Sequence, residues 1–150
     1  MRWVLDIPFL TPCGNKIMRM HHMHYHSLVQ KWYKLVEKAA GFDAIPPATS
    51  KRRVTIIRFT HHPLDDENLS FAAKPIFDVL RPDRWMEGVY KTGKKAGQPW
   101  KSHRIGHGLI QEDDPAHVER KYEVEKPPKG VKPFIRIVIE TLPIEAEDET

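Results

Sequence analysis

The sequence predicts a single α+β domain in which two main helices pack on one face of a mixed sheet of about four strands. Three observations predict this class. Four segments have the length and branched-residue content of strands, and two segments carry apolar residues at helical spacing. Their order along the chain, strand–helix–strand–helix–strand–strand, is typical of a mixed sheet. With 150 residues, of which 40% are hydrophobic, the chain can bury one core of ordinary size.

The first half of the chain is predicted to form a strand, a helix and a central strand. Arg2–Ile7 alternates between polar and apolar residues and is followed by Pro8, which predicts the first strand. Apolar residues at three- and four-residue spacing predict a helix that begins at Ser27, as its N-cap, and ends at Gly41. Val54–Thr60 is rich in branched residues, which favours a strand in the middle of the sheet.

The second half is predicted to contain a broken helix, an exposed excursion and two strands. Asn68–Leu80 has a one-sided apolar stripe, and Pro75 inside it predicts a kink or a split into two short helices at Lys74. Pro82–Gly108 has little periodicity and many cations, so we expect an exposed excursion there. The closing strands are predicted at His117–Lys126 and Phe134–Thr141.

The chain is expected to be one domain over residues 1–144, including the basic excursion 82–108, followed by an acidic tail at 145–150. No segment approaches the roughly 18 apolar residues of a membrane-spanning helix. Arg2 and Asp6 interrupt what would be a signal-peptide core. Cys13 is the only cysteine, which excludes an internal disulfide. We therefore expect a cytoplasmic protein with no membrane partner.

Positive charge is concentrated in two parts of the chain. The net charge is only +4, but residues 1–62 and 84–104 are strongly basic, and the acidic tail offsets them in the total. Such asymmetry indicates either a polyanion-binding surface or an ordinary solvated one. The predicted DNA-binding residues are Lys16, Arg19, Lys31, Lys34, Arg84, Lys91, Lys94, Lys95, Lys101 and Arg104.

Two acidic clusters are the densest candidates for chemistry. The first is Asp65-Asp66-Glu67, directly after a predicted strand, and the second is Glu112-Asp113-Asp114. Carboxylates that converge repel one another unless a hard cation lies between them, and oxygen ligands suit Mg²⁺ or Mn²⁺. The alternative is structural: acids are favoured in the first turn of a helix, and Glu112–Asp114 precedes Pro115 as a polar turn.

Helical geometry places a carboxylate, an amine and a second carboxylate on one face. At about 100° per residue, Glu67, Lys74 and Asp78 return to nearly the same direction, opposite the apolar stripe. If a metal is bound near Glu67, Lys74 lies about two turns away and can reach a phosphate on that metal. Lys74 and Asp78 could also form only a surface pair.

The same residues carry a resemblance to a known family. Paired acids followed by Asn68-Leu69, then Lys74-x-x-x-Asp78-x-Leu80, then Asp113-Asp114 with Val118 shortly after, resemble the RusA family of Holliday junction resolvases. The resemblance covers roughly residues 3–142. It implies a small homodimeric, Mg²⁺-dependent endonuclease that cuts four-way DNA junctions in recombination and repair, often encoded by a phage or prophage. It further implies that Asp65, Glu67 and one or both of Asp113 and Asp114 bind the metal, and that Lys74 is catalytic.

The mechanism expected from these residues is metal-assisted phosphodiester hydrolysis. Asp65, Glu67 and Asp114 would hold Mg²⁺, with Lys74 offsetting charge on the transition state. Proton removal would fall to Asp66 or to metal-bound hydroxide. Aromatic residues of the basic excursion either stack on unpaired bases or anchor a loop; they are Trp85, Tyr90 and Trp100.

Two alternatives remain open at this point. One is a noncatalytic DNA-binding accessory protein, often phage-encoded, that keeps the fold and the basic face without a competent metal site. The other is a zinc hydrolase built on the histidine run from His21 to His26, in which His22 and His26 are spaced by four residues. The first alternative predicts junction binding without cleavage, and the second predicts zinc that is retained through dialysis.

Overall fold

The computed structural model of the chain describes residues 1–41, 45–62 and 64–143. These residues form four helices and six strands in an α+β domain, which confirms the predicted class. In chain order they are β1 (Arg2–Ile7), α1 (Gly14–Met18), α2 (His22–Ala40), β2 (Arg52–Phe59), α3 (Asp66–Ala72), α4 (Lys74–Leu80), β3 (Pro82–Val89), β4 (Pro99–His107), β5 (Val118–Glu125) and β6 (Phe134–Thr141). None of the helices in the described ranges has the length and apolar character needed to cross a bilayer. The predicted acidic tail, 145–150, lies outside the described residues.

The main sheet is mixed and has the strand order β1-β6-β2-β5. β6 runs antiparallel to both β1 and β2, whereas β5 runs parallel to β2. The two inner strands supply buried residues from both of their faces, such as Val54 and Thr55 on β2 and Ile137 and Val138 on β6. Alternation is therefore weak on these strands, and their branched-residue content is the stronger signal.

α2 begins earlier than its apolar periodicity indicates. The predicted N-cap at Ser27 is wrong: the helix starts at His22, and His21 Nδ1 accepts the backbone N–H of Met23 at 3.3 Å. The first turn is exposed, so its histidines do not show the spacing that core contact imposes. Periodicity appears only where α2 reaches the core, through buried Trp32 and Val36.

The predicted break at Lys74 is confirmed. α3 ends at Ala72, α4 begins at Lys74, and Ala73 forms the junction between them. Pro75 then falls in the first turn of α4, where its missing N–H has no intrahelical partner to lose. α4 is almost wholly buried, including Ile76 and Phe77, and it lies against α2.

The segment Pro82–Gly108 is not an irregular excursion. β3 and β4 pair as an antiparallel hairpin that forms a separate two-stranded sheet, and residues 91–97 form its loop. Most of its side chains are exposed or only half-buried, so no apolar face marks the strands in the sequence. The hairpin is docked on α2, where the His107 ring stacks on Tyr33 at 4.0 Å between ring centroids.

Candidate functional site

The first acidic cluster forms the amino end of α3. Asp65 is the N-cap, and its carboxylate accepts hydrogen bonds from Asn68 N at 2.8 Å and Asn68 Nδ2 at 3.1 Å. Asn68 Oδ1 in turn accepts the backbone N–H of Asn15 at 3.1 Å, which ties α3 to α1. Asp66 and Glu67 are exposed in the first turn, where the helix dipole favours acids. Asp65 therefore caps α3, which is the structural alternative that the sequence left open.

Asp114 shapes the turn that leads into β5. Its Oδ1 accepts the backbone N–H groups of Ala116 at 3.0 Å and His117 at 3.1 Å, and lies 2.8 Å from His117 Nδ1. The side-chain hydrogen bond from His117, followed by the attraction of its charge and the backbone hydrogen bonds, lowers the pKa of Asp114. This carboxylate is thus held in its charged form by protein groups.

Asp113 lies in a different environment from its neighbour. Its side chain is 21% exposed, and Oδ1 is buried with no hydrogen-bond partner. Arg120 Nη1 is 3.4 Å away, close enough for an ion pair but not in hydrogen-bond geometry. Burial raises the pKa of Asp113, the Asp78 charge raises it further, and Arg120 lowers it. Of the predicted acids, Asp113 is the one that carries a buried carboxylate oxygen without a hydrogen-bond partner among the described residues.

Asp78, whose charge acts on Asp113, lies together with two further groups, Tyr25 and Lys74. The hydroxyl of Tyr25 donates a hydrogen bond to Asp78 Oδ2, and Lys74 Nζ lies 5.0 Å from the centroid of the Tyr25 ring. Burial and the Asp78 charge raise the pKa of Tyr25, so its hydroxyl keeps its proton and remains a donor. We call Tyr25, Lys74, Asp78 and Asp113 the Tyr25–Asp78 cluster. It includes the Lys74–Asp78 face that the sequence predicted.

Charged side chains also border this cluster on the β5 side. Arg81 Nε lies 2.6 Å from Glu112 Oε1. The backbone N–H of Asp113 donates to Glu112 Oε1 at 2.9 Å and is the main reason that the pKa of Glu112 is lowered, with Arg81 contributing as well. Glu112 is therefore paired with Arg81 and ionised, whereas Oδ1 of the adjacent Asp113 accepts no hydrogen bond among the described residues.

The two acidic clusters follow and precede opposite ends of the parallel strands β2 and β5. Asp65 follows the carboxyl end of β2, and Asp113 precedes the amino end of β5, which runs parallel to β2. α3 nevertheless contacts β5, and a groove of about 420 Å³ is lined by both Ser70 and Pro115. Ser70 is one turn after Glu67, and Pro115 follows Asp114. The segments that carry the two clusters thus share one groove.

The four acids predicted as metal ligands do not form a preassembled cage. Within residues 1–41, 45–62 and 64–143, no group of three or more His, Cys, Asp or Glu side chains is placed to hold a metal ion. Asp65 and Asp114 already accept protein hydrogen bonds. Asp113 Oδ1 is buried without a hydrogen-bond partner, and the cation nearest to it is the guanidinium of Arg120, with Nη1 at 3.4 Å. The metal-site prediction stays a prediction.

The predicted DNA-binding cations fall into three groups. Lys91, Lys94 and Lys95 are exposed in the loop of the hairpin, and half-buried Arg84 and Arg104 line a cavity. Lys101 Nζ lies 4.8 Å from the centroid of Trp85, and Lys95 Nζ lies 5.8 Å from that of Tyr90. The hairpin cations are Arg84, Lys91, Lys94, Lys95, Lys101 and Arg104. Lys16 and Arg19 lie beside the amino end of α2, and Lys31 and Lys34 are exposed along that helix.

The histidine run divides between two faces of α2. His22 and His26 line a cavity toward the hairpin, whereas His21 and His24 face Lys16 and Arg19. The spacing of four residues therefore does place His22 and His26 together, as predicted. No third ligand-type side chain completes a metal site around them in the described part of the chain.

Three contributors to the Tyr25–Asp78 cluster were not predicted from sequence. Tyr25 meets Asp78 across 53 residues, and Arg81 and Arg120 act on Asp113 from different elements. No local pattern marks such contacts. The only available signal was the spacing of Lys74 and Asp78, which identifies the face of α4 but not what covers it.

No protein-family model matches this chain, and no curated protein matches it at a significant level.

Proposed function

We propose that this protein is a Mg²⁺-dependent endonuclease that cleaves four-way and other branched DNA junctions as a homodimer. The observation that carries the proposal is Asp113 Oδ1, which is buried without a hydrogen-bond partner in a carboxyl whose pKa is raised by burial and by the charge of Asp78. Arg120, with Nη1 at 3.4 Å, and Arg81 compensate this carboxylate in part, and a bound cation would complete the compensation. Perturbed carboxyls in a cleft are typical of catalytic sites.

Asp113 is the first residue assigned to the metal, with Asp65, Glu67 and Asp114 as the other carboxylates that would hold it. When bound, Mg²⁺ neutralises phosphate charge and lowers the pKa of a bound water. Asp65 and Asp114 would have to release protein hydrogen bonds to contribute, whereas Glu67 is exposed and has none to release among the described residues. Metal binding should therefore depend most on the charges of Asp113 and Glu67.

The remaining groups act on the phosphodiester through this chain's own side chains. Lys74 is exposed at the start of α4 and offsets negative charge that develops on the phosphate in the transition state. Tyr25 holds the Asp78 carboxylate by its hydroxyl, and the charge of Asp78 raises the pKa of Asp113. Asp66 is exposed and supplies a base for the attacking water.

Substrate binding is assigned to the hairpin and to the basic side of α1 and α2. Six cations lie on β3, β4 and their loop, where they can contact the phosphates of a DNA strand. Trp85 is 60% exposed and Tyr90 is 39% exposed, so part of each side chain is accessible to unpaired bases at a junction, while His103 stacks on the Trp85 ring at 4.9 Å between ring centroids. Two equivalent strand cuts require two sites, so a twofold dimer is the natural assembly.

A noncatalytic DNA-binding protein is the second candidate. The observation that favours it is the Asp65 carboxylate, both of whose oxygens accept hydrogen bonds from Asn68. A carboxylate engaged in this way serves the helix without any metal. This candidate shares the basic hairpin with the first and differs only in cleavage.

A junction-cleavage assay with Asp65→Asn separates the two candidates. Asparagine caps helices about as well as aspartate, so the substitution removes the charge and keeps α3. We expect wild-type protein to cut a synthetic four-way junction only when Mg²⁺ is present, and Asp65→Asn and Asp113→Asn to lose cutting while retaining junction binding. The control is Glu123→Gln, which removes an exposed acid on β5 that has no assigned role. Binding by the wild type without cleavage at any Mg²⁺ concentration would instead establish the second candidate.

A further inference from the structure

A cavity of about 490 Å³ lies between the first turns of α2 and the β3–β4 hairpin. This is the size of sites that hold small organic ligands. One part of its wall is apolar, formed by Met23, Val29 and Ile105. Another part is cationic, formed by Arg84 and Arg104. The cavity therefore combines a surface for a flat organic group with a surface for an anion.

The two arginines are direct cross-strand partners. Arg84 on β3 pairs in register with Arg104 on β4, and like charges opposite each other destabilise a strand pair. Neither guanidinium forms an ion pair with a carboxylate among the described residues, and Arg84 Nε is buried with no hydrogen-bond partner. An anion between them would relieve the repulsion and satisfy that donor.

Neighbouring polar groups favour a phosphate on the arginine side. The hydroxyl of Ser102 and the rings of His22 and His26 also line the cavity and can donate to phosphate oxygens. Asp78 reaches the cavity as well, but its carboxylate is held by the Tyr25 hydroxyl. The charge of Asp78 also acts on Arg84, so the negative group of a ligand would lie between Arg84 and Arg104, where it contacts the arginine that Asp78 does not compensate.

We propose that this cavity binds one nucleotide unit, with its phosphate between Arg84 and Arg104 and its base against the apolar wall. The chemistry required is a phosphate ester joined to a flat ring, which a free nucleotide and an unpaired nucleotide of a DNA strand both supply. Assigning the nucleotide to a strand rests on the proposed function, because a junction offers unpaired nucleotides beside the cleavage site. Nucleotide binding in the cavity does not itself depend on Mg²⁺.

The test is calorimetric binding of thymidine 5′-monophosphate in Mg²⁺-free buffer, with thymidine and inorganic phosphate as separate probes. We expect the nucleotide to bind at least tenfold more tightly than either part. Arg84→Gln and Arg104→Gln should each weaken nucleotide binding about tenfold or more. Lys129→Gln, which removes the same charge from an exposed loop, should leave it unchanged. Equal affinity for phosphate and nucleotide, or full affinity in both arginine variants, would overturn the proposal.

A stability measurement shows that the arginine variants are folded. Without ligand, Arg104→Gln should raise the melting temperature by about 1–3 °C, because it removes one of two facing like charges. A melting temperature that falls in both variants would contradict the strain that the proposal ascribes to the Arg84–Arg104 pair.

An oligothymidylate strand distinguishes the two sources of the nucleotide. Displacement of bound thymidine 5′-monophosphate by the strand supports a strand nucleotide as the ligand, whereas retention of the mononucleotide in excess strand overturns that assignment. Junction cleavage is measured on the same samples after Mg²⁺ is added. Nucleotide binding without cleavage would refute the nuclease and not the cavity, and cleavage without nucleotide binding would do the reverse.

Discussion

The hydroxyl of Tyr25 on α2 donates a hydrogen bond to the carboxylate of Asp78 on α4, across 53 residues of sequence. This contact joins the two helices at a point where Lys74 lies over the tyrosine ring, and the charge of Asp78 raises the pKa of Asp113. Packing of α2 on α4 therefore sets the electrostatic environment of residues that the sequence places on separate elements.

Removing this hydroxyl should destabilise the protein. Tyr25→Phe keeps the ring but leaves a partly buried Asp78 carboxylate without its donor, and we expect a loss of about 1–3 kcal/mol in the free energy of unfolding. Urea denaturation followed by circular dichroism measures the loss. Tyr122→Phe is the matched control, because Tyr122 packs edge-on against Phe77 and its hydroxyl has no hydrogen-bond partner among the described residues. Equal losses in both variants would show that the hydroxyl of Tyr25 contributes nothing specific.

Asp113 should make stability fall as pH rises. Its pKa in the folded state is raised above the ordinary value of 3.8, mainly by burial, so the folded state holds this proton more tightly than the unfolded chain. That contribution is complete below the unfolded pKa and is lost as pH rises through the folded pKa. Relative to wild type, Asp113→Asn should therefore gain stability as pH increases from 3 to 7 in metal-free buffer, as measured by denaturation at each pH.

Asp114, the adjacent residue, should instead make stability rise as pH rises. Its pKa is lowered, chiefly by the side-chain hydrogen bond from His117, so its contribution is present above the unfolded pKa and is lost as pH falls through the folded pKa. Asp114→Asn should lose stability relative to wild type as pH increases over the same range. If the two variants changed in the same direction, the distinct environments assigned to the two aspartates would be wrong.

Gly106 on β4 should not tolerate a side chain. A Cβ at this position would lie 1.8 Å from the backbone oxygen of Arg81, which also accepts the N–H of Gly108 at 3.1 Å. Backbone on both sides must therefore move, and we expect Gly106→Ala to cost about 1–3 kcal/mol or more in the free energy of unfolding. Ser102→Ala on the same strand is the control and should cost far less. Thermal unfolding of the two variants measures the difference in stability, and equal losses would contradict the prediction.

The hairpin loop should contribute the salt dependence of DNA binding. Lys94 and Lys95 are exposed in that loop, and each phosphate contact adds about 0.9 to the slope of log affinity against log salt concentration. A double change of both lysines to glutamine should make the slope shallower by about 2 and weaken binding to all DNA sequences alike. Fluorescence anisotropy at several salt concentrations measures the slope. An unchanged slope would mean that the DNA does not contact the hairpin loop. The matched control is the double variant Lys121→Gln and Lys129→Gln, which removes the same charge.

Much of the secondary structure was predictable because it follows from neighbouring residues. Arg2–Ile7 and Phe134–Thr141 are strands over the predicted ranges, and the helix break at Lys74 follows from Pro75. These features depend on alternation, branching and proline geometry, which act over a few residues. The hairpin at Pro82–His107 was missed because its strands have no buried face to impose a pattern.

The candidate site, too, was predictable from the sequence only in part. The sequence by itself determined that Asp65 precedes a helix and that Lys74 and Asp78 share a face of α4, because both follow from helical geometry. Only the tertiary structure decided that Asp113 is half-buried and subject to the charge of Asp78 while Asp114 is held by His117, and that Arg84 stands opposite Arg104. The ionisation and partners of these groups depend on burial and on charges from distant elements, and no local pattern encodes either.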